Sequence, residues 1–224
     1  PEEEHGALLA RAPMDLRINR AKADRENVLR ELPNAQPIVG LPDAVRLSEN
    51  MRIDDQPAWI EGRIEVQDAG SQWVAAACAV LPGMTVVDLC AGAGGKTLAL
   101  AADMGGTGRL VACDTNRDRL QRMTPRAERA GVSSVEARLL NPGQELSQLA
   151  DLEGQADLVL IDAPCSGSGT LRRNPEARWR LTPDRLNRLT DLQAHVLALG
   201  ARLVKPGGTL VYAVCSLIAA EGTE

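Results

Sequence analysis

Two cysteines stand where chemistry could be done. Cys165 lies in "LVLIDAPCSGSGT", close behind Asp162 and directly after Pro164, and Cys215 lies in "LVYAVCS". Each follows an apolar run that suits a strand covered on both faces, and Pro164, Gly167 and Gly169 end the first run. A third stretch, "VVDLCAGAGGKT", sets Gly92, Gly94 and Gly95 between a strand and a helix, with Asp88 before them and Lys96 after them. Glycines at such a turn let the backbone approach a ligand closely. A thiol becomes a nucleophile once deprotonated, and a nearby carboxyl can balance the charge that develops on its target. Taken singly, Cys165 reads equally well as a turn residue and Cys215 as a buried strand end.

The chemistry needs elements that bring the three stretches to one edge. The runs "TVVDLC", "RLVACD", "SSVEARLL", "ADLVLIDAP" and "GGTLVYAVCS" read as strands, separated by helices at Lys96 to Met104, Asn116 to Ala130 and Pro183 to Val204. This alternation predicts an α/β fold with a doubly wound, mainly parallel sheet. In such a sheet the fourth and fifth strands are neighbours and ligands bind at the strands' carboxyl ends. Both thiols and the glycine loop are therefore expected to face one crevice. Ahead of it, "PMDLRIN" is extended, and a helix starts near Ala23 with Asp24 as its cap and Val28, Leu29 and Leu32 on one face. Residues 1–66 read as a small α+β module and residues 67–224 as the catalytic domain, joined through "IEVQDAGSQWVA".

Composition narrows the class. The 224 residues are 44% hydrophobic but only 2% aromatic with no Phe, so the core must be built from Ala, Val, Leu and Ile, and base stacking on aromatics cannot be extensive. A net charge of −5 argues against a uniformly basic nucleic-acid binder and leaves room for local basic patches. The five cysteines form no CxxC pair, which fits neither a zinc site nor a secreted disulfide framework; reduced thiols and no metal are expected. Cys78 and Cys113 have apolar neighbours and read as core residues. No run is long enough to span a membrane and "PEEEHGALLA" has no signal-peptide pattern, so a cytoplasmic protein, monomeric by default, is expected. His5 and His195 join no catalytic constellation.

Three cofactors compete for the glycine loop. A P-loop would need glycine at Cys90, and a dinucleotide fingerprint would need its last glycine at Thr97. The remaining candidate is S-adenosylmethionine, held by loops similar to Asp88 to Gly95 in methyltransferases. Asp88 would face the methionine end and Asp114, closing the next strand, would accept from the ribose hydroxyls. A methyl donor beside two thiols suggests methylation at C5 of a pyrimidine, a carbon that becomes nucleophilic only after a thiolate adds at C6. Asp162 would bond at N3 to stabilise the ring charge. From the residues alone, either thiol could attack, and Pro164-Cys165 favours Cys165.

Taken together, "PMDLRINRAKADRE", "IEVQDAGSQWVA", "DLCAGAGGKT", "DAPCSGSGTLRRNPEARWR" and "YAVCS" resemble the Fmu/Sun family of RNA cytosine-C5 methyltransferases, related to the nucleolar NOL/NOP and NSUN proteins. The resemblance implies a Rossmann-like class I methyltransferase domain preceded by a small RNA-binding subdomain, acting on RNA, ribosomal RNA in particular. It implies Cys215 as the nucleophile, Cys165 as the residue that helps release the product, and Asp162 and Lys96 beside the target base. It implies a cofactor site formed by Asp88, Cys90, Ala91, Gly92, Ala93, Gly94, Gly95, Lys96, Asp114, Arg119, Asn141 and Asp162. Departures are visible: Gly92-Ala93 stands where the family has Ala-Pro, Asn141 where it has an acidic residue, and Glu221-Gly222 where it has Glu-Asn. The chain also stops before the antiparallel strands that complete such a sheet.

Two basic clusters could meet phosphates: Arg17, Arg20, Lys22 and Arg25 in the first module, and Arg172, Arg173, Arg178 and Arg180 after the first cysteine motif. The rival readings are an amino-group methyltransferase that needs neither thiol, and a catalytically silent RNA-binding or assembly factor.

Overall fold

The computed structural model describes residues 11–49 and 51–222; His5 lies outside them. The chain begins with β1 (Met14–Ile18), α1 (Arg25–Glu31), β2 (Ala35–Pro37), β3 (Ala44–Leu47), α2 (Pro57–Ile60) and β4 (Ile64–Val66). The four strands form an antiparallel sheet in the order β2-β3-β1-β4. Asp24 caps α1 as expected, its side chain accepting from the Asn27 backbone N–H. Leu16 and Ile18 point into a core shared with Val28, Leu32, Val45 and Ile64.

A second sheet follows. Its elements are α3 (Ala69–Ala77), β5 (Thr85–Asp88), α4 (Gly95–Asp103), β6 (Arg109–Asp114), α5 (Arg117–Gln121), α6 (Met123–Ala130), β7 (Val135–Leu139), α7 (Glu145–Gln148), β8 (Ala156–Asp162), α8 (Pro183–Leu203) and β9 (Val204–Ala213). All five strands are parallel, in the order β7-β6-β5-β8-β9, so the chain reverses direction across the sheet between β5 and β8. The expected doubly wound α/β sheet is present, and β8 and β9 are neighbours.

The continuous apolar runs have a simple cause. Val87, Val111, Val159 and Ile161 join one core, which includes Leu199 and Leu203 of α8. The alternate residues Val86, Leu110, Leu158 and Leu160 join the core on the other face, with Ala99 and Leu100 of α4. Side chains two apart share a face of a strand, so a strand covered on both sides needs apolar residues throughout. Each such buried Leu, Ile or Val contributes roughly 1.5–3 kcal/mol. The same alternation turns Asp88 and Asp162 toward α4.

One expected helix is two. The stretch from Asn116 to Ala130 breaks at Arg122 into α5 and α6. Pro125 lacks an N–H and its ring would clash with the carbonyl of Gln121, so no single helix can run through. Asn116 still caps the first piece, accepting from the Arg119 N–H. Cys78 and Cys113 are buried in the two cores, as expected, and burial pushes both thiols up to about 12.

Candidate active site

The carboxyl ends of β5, β6 and β8 surround a cavity of about 920 Å³, lined by Asp88, Cys90, Ala91, Gly92, Ala93, Gly95, Lys96, Asp114, Arg119, Asp162, Cys165 and Cys215 among others. Two residues expected at the cofactor lie outside this lining. Gly94 takes a left-handed conformation (φ +81°) at the start of α4 and faces Met123, where a Cβ would come within 2.4 Å of Met123 Cγ. Asn141 is exposed and its backbone N–H donates to Gln148 Oε1 at 2.7 Å. Leu140 and Glu145 line that end of the cavity instead.

The loop geometry is set by the acids. Asp114 accepts from the backbone N–H of Gly92 (2.9 Å) and of Asn116 (2.7 Å), which ties the glycine loop to β6. Asp88 is fully buried; Thr97 Oγ1 donates to its Oδ2 at 2.6 Å, while its Oδ1 has no hydrogen-bond partner. Burial pushes the Asp88 carboxyl up to about 6 against the pull of Thr97. Gln67, from the segment joining the sheets, also lines the cavity, with Nε2 buried and unpartnered and Oε1 accepting from Arg17 Nε at 2.6 Å. A buried acceptor and a buried donor left unmet at one cavity are suited to a ligand with both a cationic and an anionic end, as the methionine part of S-adenosylmethionine has. Gly92, at φ +56°, has nothing within 4 Å of a would-be Cβ, so the loop leaves space for a ligand against its backbone. The residues present fit that cofactor.

At the other end, Lys96 Nζ donates to Asp162 Oδ2 at 2.6 Å and to Ser71 Oγ at 3.3 Å. The two thiols meet: Cys165 Sγ lies 3.2 Å from Cys215 Sγ. The hydrogen bond from Cys215 brings the Cys165 thiol down to about 7 against the effect of burial; the same bond, burial and the charge on Cys165 push Cys215 up. The charge belongs to the pair, which loses a first proton readily and holds the second.

A second cavity, of about 400 Å³, lies on the far side of this cluster. Lys96, Asp162, Ser71 and Cys215 line both cavities, whereas Cys165 lines the first and not the second. Arg46, Arg172 and Arg173 also line the second. Arg173 pairs with Asp68 and donates to the Pro13 carbonyl at 3.3 Å, and Arg172 donates to the Arg11 carbonyl, so both fasten the loop after Cys165 to the first module. Arg178 and Arg180 are exposed on the turn Pro175–Arg180, Arg178 lying over Trp179.

The first basic cluster has another use. Arg17 is buried against Gln67, which corrects its expected place on a phosphate-facing surface. Arg20 pairs with Asp43 and Asp103, Lys22 Nζ donates to the carbonyls of Glu61 and Arg129, and Arg25 reaches the Leu41 carbonyl. Arg17 shares a crevice with Gln72 and Ala76 of α3 and with Ala99 and Asp103 of α4, so its guanidinium is out of water and turns to an internal partner. His195 Nε2 lies 3.3 Å from Glu145 Oε1 at the cavity wall. Arg185, Leu189, Leu192, Val196 and Leu199 line the cavity from one face of α8, a helical spacing visible in the sequence but not tied there to a site.

Similarity to known proteins agrees with this geometry. Residues 76–224 match the family model described as 16S rRNA methyltransferase RsmB/F. The chain is 41% identical, over 93% of its length and 47% of the relative's, to "Probable ribosomal RNA small subunit methyltransferase B" of Synechocystis sp.. It is 36% identical, over 95% of its length and 50% of the relative's, to "Ribosomal RNA small subunit methyltransferase B" of Salmonella arizonae. The crystal structure of PH0851 superposes with a TM-score of 0.90 at 35% identity, covering 96% of this chain and 49% of that one. The chain thus spans about half the length of the curated relatives it matches. The resemblance to the Fmu/Sun methyltransferases, and the Rossmann-like methyltransferase sheet it implied, are borne out: the chain belongs to the RsmB/F family of 16S rRNA methyltransferases.

Proposed function

We propose that this protein transfers a methyl group from S-adenosylmethionine to C5 of cytosine in ribosomal RNA through a covalent bond between Cys215 and C6. The observation that carries the reading is the pair of thiols at 3.2 Å, of which Cys215 alone lines both cavities. A base entering from the second cavity meets Cys215 first, with the methyl donor's cavity behind it. Family membership supports the reaction and the substrate class.

The residues divide the work. Cys215 adds to C6 and converts C5 into an enamine-like carbon. Asp162, held by Lys96 at 2.6 Å, delivers a proton at N3 and so neutralises the negative charge that thiolate addition brings into the ring. S-adenosylmethionine supplies the electrophilic methyl. Asp114 would accept from its ribose, Asp88 and Gln67 would hold its methionine end, and Cys90 to Ala93 with Gly95 and Arg119 would line its site. Cys165 acts at release: its thiolate takes the proton from C5 as the C5–C6 double bond re-forms and the bond from C6 to Cys215 breaks. The target cytidine leaves any helix in which it is stacked.

On this reading residues 1–66 form an RNA-binding subdomain and residues 67–224 the catalytic domain. Arg172, Arg178 and Arg180 meet phosphates, with Arg20 and Lys22 holding the subdomain in place. The protein works as a cytoplasmic monomer and needs no metal. Among the described residues no helix is long and apolar enough to cross a membrane. The test is mass spectrometry of RNA incubated with full-length protein and S-adenosylmethionine: 5-methylcytosine is the expected product, and methylation confined to an exocyclic amine would refute the reading.

A further inference from the structure

Ser166 and Ser216 directly follow the two cysteines, and both end on one buried carboxylate, Glu221. Glu221 Oε2 accepts from Ser166 Oγ at 2.5 Å and from Ser216 Oγ at 2.5 Å. Its Oε1 accepts from the Ser166 backbone N–H at 2.8 Å and from Gln193 Nε2 at 3.0 Å, and the same Gln193 amide donates to the Pro164 carbonyl at 2.8 Å. The segment that carries it is fixed in turn, since Tyr212 Oη donates to the Glu221 carbonyl at 3.1 Å.

Glu221 is 2% exposed and lines neither cavity, so it touches no substrate. Burial pushes its carboxyl up, but the bonds from Ser166, Ser216 and Gln193 outweigh this and keep it low, so it is ionised. A buried anion is costly, and apolar packing could have joined these loops as firmly. What an apolar residue could not do is fix two polar turns by direction. With four donors from both cysteine turns and from α8, one carboxylate ties the two turns together, beside the bonds from the Gly169 N–H to the Cys215 carbonyl at 3.0 Å and from the Leu217 N–H to Ser168 Oγ at 2.8 Å.

We propose that Glu221 is the positioning residue of the thiol pair: it clamps the residue after each cysteine and thereby holds Cys165 and Cys215 at working distance. This rests on the covalent reading above for its effect on turnover, while the geometry it sets exists without RNA. A catalytic group must be held to within about 0.5 Å, and a misplacement of about 1 Å can cost about 100-fold in rate.

The test uses full-length protein carrying Glu221→Ala or Glu221→Gln. One assay is RNA methylation; the other is closure of the Cys165–Cys215 disulfide by diamide, which takes two electrons and two protons from the thiols and requires no RNA. In Glu221→Ala, kcat falls about 10- to 100-fold with the KM for RNA and the affinity for S-adenosylmethionine within about threefold, and diamide closes the pair at least about tenfold more slowly. Glu221→Gln recovers much of both, because rotatable serine hydroxyls can donate to the amide oxygen or accept from its N–H. If Glu221→Ala fails to fold, Ser166→Ala combined with Ser216→Ala gives the same two losses, and adding Glu221→Gln to that pair lowers neither much further. A folded Glu221→Ala with wild-type kcat and wild-type disulfide rate, changed only in Tm, overturns the proposal. Wild-type protein that makes no 5-methylcytosine, while disulfide closure still depends on Glu221, refutes the C5 reading and upholds the positioning role.

Discussion

Cys165 and Cys215, 50 positions apart in the chain, bring their sulfurs to 3.2 Å because β8 and β9 are adjacent parallel strands and each cysteine sits just beyond its strand's end. Such a pair carries one negative charge more easily than two. The pH dependence of the reaction follows. Cys215 can add to C6 only after the pair has lost its first proton, so the rate of adduct formation rises through about pH 7, where Cys165 is placed, and levels off above it. In Cys165→Ala the partner is gone, and the limb moves up toward the ordinary thiol range of about 8.5. Single-turnover rates measured against pH for both proteins check this; an unmoved limb would count against a shared proton.

Lys96, mostly buried, and Asp162, about a third exposed, form an ion pair at 2.6 Å and line both cavities with Cys215. Asp162→Asn leaves the lysine but cannot deliver a proton at N3, and Lys96→Met leaves the carboxylate without its holder. Both are expected to lower kcat by about 10²-fold or more while Tm changes by only a few degrees, as about 10²–10⁴-fold is typical of a positioned acid or base. Steady-state kinetics with thermal unfolding separates the two effects.

The buried Asp88 predicts opposite trends in stability and in cofactor binding. Its folded pKa, about 6, lies above the ordinary carboxylate value, so the native state holds this proton more tightly than the unfolded chain. The resulting stabilisation is present below about pH 4 and is lost as pH rises through about 6. Asp88→Asn should therefore raise Tm relative to wild type above about pH 6 and make no difference below about pH 4. Affinity for S-adenosylmethionine should rise with pH across the same window in wild type and stay flat in the variant. Calorimetry across pH reads both.

The two left-handed glycines of the loop should fail differently. Gly94→Ala drives a Cβ to 2.4 Å from Met123 Cγ at φ +81°, and is expected to destabilise the fold by about 1–3 kcal/mol. Gly92→Ala meets no protein atom within 4 Å, so it costs only about 1 kcal/mol of backbone strain and acts mainly by weakening cofactor binding. Denaturant unfolding and titration calorimetry on both variants distinguish the cases.

Much of the sheet and of the site is legible in the sequence. The run Leu158 to Ile161 announces a strand buried on both faces, and Asp162 and Cys165 then fall at its carboxyl end by simple alternation. What escaped depends on distant contacts. Gln67 is recognisable as a site residue only when Arg17 is seen to hold its amide, and Arg17 itself looks like a surface cation until the second face of β1 is covered. Asn141 held the expected position along the chain, but the turn after β7 points the backbone away and presents Glu145. Pro125 was the readable signal for the break between α5 and α6. Glu221 stands near the second cysteine in the chain, yet its role emerges only with Ser166 brought alongside from 55 residues away.

The most direct measurement of the central claim is denaturing electrophoresis of full-length protein incubated with RNA and S-adenosylmethionine, comparing Cys165→Ala with Cys215→Ala. Cys165→Ala is expected to accumulate a covalent protein–RNA adduct above about pH 8.5, because release is impaired while Cys215 still attacks. Cys215→Ala is expected to form none and to lose 5-methylcytosine formation by at least about 10³-fold. An adduct in Cys215→Ala, or undiminished methylation by it, would contradict the assignment of Cys215 as the attacking thiol.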